Sequence, residues 1–110
     1  MAVQKAGRLQ FQDLFDVVGA GSFVVNFGNA ATGSGTFAVS GAIAVAGAAV
    51  GDFVLVGLGV DPVDSAVVGH VTAAGVVELT LLNNTAGAVD LASHTLQVVV
   101  LRLNAAYALV

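Results

Sequence analysis

The residues Leu96-Gln97-Val98-Val99-Val100-Leu101-Arg102-Leu103 constrain this chain more than any others, because they read as a strand that is apolar on both faces. Successive side chains of a strand point to opposite sides of the sheet. A strand on the surface of a small sandwich ordinarily shows one polar face. One that is apolar on both must be covered on both. Burying a single Val or Leu stabilises by about 1.5–3 kcal/mol, so leaving several in water is costly. Two arrangements satisfy the strand. Either it is central to its own domain, or another subunit covers one face. The second makes Val98, Val100 and Arg102 candidate subunit-interface residues and the chain a homo-oligomer. The tail Ala105–Val110 also ends apolar and makes the same demand.

The rest of the chain is patterned as strands and turns. Phe23–Phe27 is β-branched and aromatic and runs into Gly28-Asn29. In Thr36–Val45, alternation sends Phe37, Val39, Ile43 and Val45 one way and Ala38, Ser40, Ala42 and Ala44 the other. Ala favours helix, but that alternation and the glycines weigh against a helix over Ala42–Ala49. Phe53–Val56 is a short continuous apolar strand. Val67–Ala73 follows with His70 and Thr72 outward, then a hairpin turn at Ala74-Gly75. Val76–Leu81 has Val77, Leu79 and Leu81 inward and Glu78 and Thr80 outward. Short strands at regular spacing indicate an all-β sandwich or barrel. The expected fold is a small antiparallel, jelly-roll-like β-sandwich over residues 23–110.

Residues 1–22 read as an N-terminal arm. They hold Lys5 and Arg8, two of the three cations. Phe11 and Phe15, with Leu14 and Val18, make one apolar stripe on a short helix. Such an arm folds onto its own domain, or docks on another subunit or another protein. Gly19-Ala20-Gly21-Ser22 breaks the pattern.

Charge excludes several classes. Three Lys+Arg against seven Asp+Glu give a net charge of −4, and only 9% of residues are charged where about 25% is usual. At 57% apolar, the chain is not disordered. Three cations are too few for a nucleic-acid surface. Without cysteine there is neither a disulfide scaffold nor a Cys-based zinc site. Gln10, Gln12, Asp13 and Asp16 interrupt any secretory signal after Lys5 and Arg8. Val17–Gly51 carries no charge, but polar residues and glycines recur through it, and the cleanest stretch, Phe37–Gly51, is short for a membrane span. No membrane partner is expected.

Motifs for chemistry are missing. Gly28–Ser34 imitates a phosphate loop, but Ser34 stands where a Lys must reach the phosphates. There is no nucleophile elbow. His70 and His94, with Ser65 and Ser93, form no recognisable triad. Asp61 and Asp64 flank Pro62 in what reads as a solvated loop, short of the six to eight oxygens of a calcium site. Asn83-Asn84-Thr85 matches a glycosylation acceptor and, with no secretion signal, reads as a loop. Arg102, the only cation after Arg8, pairs with an acid such as Glu78 or Asp90, or sits at an interface. The expectation is a protein that is not an enzyme, with no catalytic residues, cofactor or metal.

From residue 51 onward the order of segments is familiar: Gly51-Asp52-Phe53-Val54-Leu55-Val56, Val71-Thr72-Ala73-Ala74-Gly75-Val76-Val77, Asn83-Asn84-Thr85-Ala86-Gly87-Ala88-Val89-Asp90, and Thr95-Leu96-Gln97-Val98-Val99-Val100. Over residues 36–102 the chain resembles a small β-sandwich module of tailed-bacteriophage virion proteins, found in capsid decoration (cement) proteins and in some tail-fibre or spike proteins. The resemblance implies a trimer seated on a shell of major capsid protein, at the capsid surface of a virion and made in the host cytoplasm. Lys5, Arg8, Phe11 and Phe15 are then the expected capsid-facing contacts. The alternative is a fibre or spike module that binds a host-surface glycan, against which stand the absence of Trp and the single Tyr107.

Overall fold

A computed structural model describes residues 14–30 and 36–104. Lys5, Arg8, Phe11 and the tail from residue 105 lie outside them. Among the described residues the elements are β1 (Phe15–Val25), β2 (Asn29–Ala30), β3 (Thr36–Val39), β4 (Ile43–Ala44), β5 (Phe53–Gly57), β6 (Ala66–Ala73), β7 (Val76–Asn83), β8 (Val89–Asp90) and β9 (His94–Leu103). The class is all-β, and every ladder is antiparallel. Seven strands form one continuous sheet in the order β1-β9-β5-β6-β7-β3, with β4 also pairing β7; β2 and β8 form a separate pair.

The inner face of this sheet carries the core. Val77, Leu79 and Leu81 of β7 and Leu96, Val98 and Val100 of β9 are completely buried in one cluster, joined by Val25, Phe27, Ile43 and Val45. Val54 and Val56 of β5 pack against it. The alternation of β7 is therefore as expected from its sequence. The two-faced strand is central: β9 lies between β1 and β5. Val98 and Val100 are inside the chain's own core at 0% exposure, so neither is available to a second subunit. The far face of β9 carries Val99, Leu101 and Leu103.

Two local readings need correction. Phe15–Val18 belong to a strand rather than to a short helix, and β1 runs through Gly19–Ser22 to Val25, paired with β9 on both sides of a bulge at Val18. The glycine that looks like a breaker is a packing site. A Cβ on Gly19 would stand 2.7 Å from Val45 Cγ1 and 2.9 Å from the Ala46 carbonyl oxygen, beside the bulge between Val17 and Gly19. Here the turn after β4 closes onto β1, and only glycine admits it.

The second correction is at Thr36–Val45, where the alternation breaks. β3 pairs with residues 80–83 of β7 and β4 with residues 76–77, and Ser40-Gly41-Ala42 bridges them. The Ser40 N–H donates to the Leu79 carbonyl at 2.9 Å, and the Leu79 N–H donates back to Ser40 Oγ at 3.0 Å. Gly41 has φ +77°. The hydroxyl replaces a ladder carbonyl, and the chain changes face across the excursion. Ala38 is therefore buried and Val39 exposed, while Ile43 and Val45 still point inward. The hairpin turn at Ala74-Gly75 is present, with Gly75 at φ +73°.

Candidate interaction surface

One end of the outer face of the sheet is an apolar strip across β1, β9, β5 and β6, while Ser22, Thr95 and Gln97 stand on the same face toward the other end. Register places its members side by side. Phe15 is opposite Leu103 and Val17 opposite Leu101. Phe53 is opposite Leu101 on the other side, and Leu55 is opposite Val99. Val54 faces Gly69, which sets Val68 beside Leu55. Large apolar side chains stay in water here: Val17 is 61% exposed, Leu55 55%, Val68 50% and Phe53 49%. The rings of Phe15 and Phe53, from the two strands flanking β9, meet edge to face with centroids 6.0 Å apart. They lean over β9, and Leu101 beneath is only 7% exposed. Contiguous exposed apolar patches are common at interaction sites.

No Asp, Glu, Lys or Arg stands among the strip members. Alternation turns Asp16 and Arg102 to the opposite face. At the far margin His70 Nε2 and Glu78 Oε1 are 4.0 Å apart on β6 and β7.

One end of the strip meets an ion pair. Arg102 Nε donates to Asp52 Oδ1 at 2.8 Å, and Nη2 donates to Asp52 Oδ2 at 2.8 Å and to the Gly47 carbonyl at 3.1 Å. The partner of Arg102 is therefore Asp52, rather than Glu78 or Asp90. β5 and β9 are adjacent antiparallel strands, so the start of one meets the end of the other. The Arg102 guanidinium holds the Asp52 carboxyl below its ordinary range against the opposing effect of burial, and the Ala49 N–H, donating to Oδ2 at 2.8 Å, adds to it. The same pairing raises the pKa of Arg102. Ala49, Val50, Gly51, Phe53 and Leu103 line an open, mainly apolar depression of about 410 Å³ beside this pair. Arg102 thus ties the turn after β4 to the sheet end.

Other residues singled out in the sequence have structural places. Asn83 is completely buried. Its Nδ2 donates to the Gly87 carbonyl at 2.7 Å, and its Oδ1 accepts from the Thr85 N–H at 2.8 Å. It organises the loop that follows β7 from the inside, so it is not open to glycosylation. His94 is buried, with Nδ1 2.8 Å from the Ala92 carbonyl. Asp61 Oδ1 accepts the Val63 N–H at 2.9 Å within a turn closed by Ser65 N–H to Pro62 carbonyl at 3.2 Å. Among the described residues no three His, Asp or Glu converge to hold a metal. Phe15, the described member of the expected capsid-facing set, lies in the strip.

The strip's members on β5 and β6 escaped sequence reading. Their signal was present, since Phe53-Val54-Leu55-Val56 is continuous in apolar character just as β9 is. No family model, curated protein or solved structure matches this chain.

Proposed function

We propose that this chain is a structural assembly protein, a homo-oligomeric capsid decoration protein of a tailed bacteriophage that binds major capsid protein. The single observation that carries the assembly reading is the uncovered, charge-free strip formed by Val17, Phe53, Leu55 and Val68 around Leu101. An antiparallel sheet wrapped on its own core is a stiff body. One further apolar face gives that body something to bury against a neighbour. The bacteriophage part of the proposal rests on the resemblance over residues 36–102. The mechanism is removal of apolar surface from water, at about 25 cal/mol per Å², on joining a larger shell.

The test uses shells of major capsid protein assembled without this chain. Added protein should sediment with the shells, saturate at a fixed ratio and raise their resistance to heat. Protein that stays in the supernatant at every ratio refutes the capsid reading.

A further inference from the structure

We infer that the sheet is built to part between β5 and β6, with Gly69 as the pivot, so that the chain opens as two halves, β1-β9-β5 and β6-β7-β3, the second keeping β4. This is a conformational device of the fold itself and does not depend on the capsid reading.

Pairing carries the inference. β9 pairs β5 along its whole length, Phe53–Gly57, and β7 pairs β6 from Ala66 to Val71 and again at Ala73. Between β5 and β6 the ladder holds at a single residue pair, Val54 with Gly69. Continued in the same register it would join Leu55 to Val68 and Val56 to Val67, and neither is a pair. Among the described residues no turn or loop hydrogen bond joins the two strands either. Backbone groups without a partner strand rely on water. The one junction is a close crossing. A Cβ on Gly69 would stand 2.6 Å from Val54 Cγ1 and 2.9 Å from Leu79 Cδ2. Val54 therefore lies across the glycine, in the space a side chain would take. Contact at one point, with no ladder on either side of it, is the geometry of a pivot.

The connection between the halves agrees. Past β5 the chain still follows β9, so closely that a Cβ on Gly59 would collide with the Thr95 carbonyl oxygen. The turn before β6, closed from the Ser65 N–H to the Pro62 carbonyl, holds Val63 and Asp64 at φ 56° and 61°, a region that a β-branched residue rarely adopts. Ser65 Oγ, at the entry to β6, is buried without a hydrogen-bond partner. Opening brings water to that hydroxyl and lets the turn relax. Against it stand Val54, Val56 and Val67, which pack on the core from the two sides of the seam. The shut form is therefore the ground state and the open form a minor population. On the outer face the seam runs between Leu55 and Val68, so the apolar strip is continuous only while the seam is shut.

Native-state hydrogen exchange, followed by NMR on the full chain in urea rising to about 2 M, tests the seam. Successive N–H groups of a strand turn to alternate sides, so β5 and β6 carry their own controls. Groups turned to the seam, those bonded at the Val54–Gly69 junction included, should exchange at least about a hundredfold faster than groups turned to β9 and β7, with little dependence on urea. The chain has no cysteine of its own, which allows a staple across the seam, Leu55→Cys with Val68→Cys. Oxidation should narrow the gap at least about tenfold, and reduction should restore it. Junction groups that exchange only through global unfolding, with the steep urea dependence of the slowest groups in β7 and β9, overturn the inference. So does a gap that oxidation leaves unchanged. If the disulfide does not form, the urea dependence decides alone.

Discussion

Replacing Asn83 with Asp tests how the loop after β7 is held, because it changes one donor into an acceptor at nearly constant shape. Asn83 is at 0% exposure. Oδ1 accepts from the Thr85 N–H at 2.8 Å and lies 2.7 Å from Thr85 Oγ1, and an aspartate can keep both contacts. Nδ2 is what changes. It donates to the Gly87 carbonyl at 2.7 Å and reaches the Ala30 carbonyl at 3.4 Å. The ionised carboxylate of Asn83→Asp turns an acceptor oxygen toward those acceptors and buries a charge. Leaving a buried polar group unsatisfied costs about 1–3 kcal/mol, and more when it is charged, so a loss of roughly 3 kcal/mol at pH 7 is expected. Thermal midpoints near 4–8 °C per kcal/mol convert this to a drop of roughly 12–24 °C.

The pH dependence is diagnostic of the cause. A protonated carboxyl has an O–H that can donate to the Gly87 carbonyl as the amide does. Burial and the facing carbonyls favour that neutral form in the folded chain. The penalty is therefore full above the raised folded pKa. It shrinks as pH falls toward the unfolded value near 3.9. Urea denaturation of Asn83→Asp and the parent chain from pH 7 to pH 4 reads it directly. A penalty that does not change with pH, or one below about 0.5 kcal/mol at pH 7, the range of ordinary surface substitutions, refutes the donor role of Nδ2.

Two further variants probe the strand ends. Val63 and Asp64 occupy the left-handed region at φ 56° and 61°, in a turn geometry that favours Asn-Gly. Since this region disfavours ordinary residues by about 1–2 kcal/mol each, Val63→Asn with Asp64→Gly should stabilise by roughly 1–2 kcal/mol in urea; an unchanged or lowered midpoint contradicts the assigned turn. Asp52, whose carboxyl pKa is lowered by Arg102, stabilises the fold above its unfolded pKa, and that support is lost as pH falls through the lower folded value. Asp52→Asn should therefore lie below the parent in stability at neutral pH, with the gap closing below about pH 4; a gap that persists to pH 2 removes the ion pair as its cause.

Period-two patterning made β7 legible from residues alone, because Val77, Leu79 and Leu81 alternate with Glu78, Thr80 and Leu82, and one face of this strand is wholly buried. Continuous apolar character made β9 legible as a strand needing cover on both sides. These are local signals, and alternation is local geometry. They established the all-β class, the hairpin at Ala74-Gly75 and the demand for a second apolar contact. Which face the domain itself would cover was not local. It depends on β9 lying between β1 and β5, on β1 extending through Gly19 because the turn at Val45-Ala46 packs there, and on Phe15 and Phe53 meeting above Leu101. Residues as far apart as Asp52 and Arg102, or Ala30 and Asn83, become neighbours only when the sheet assembles. Periodicity reports where a side chain points relative to the next one along, whereas exposure depends on what the rest of the chain brings to stand over it.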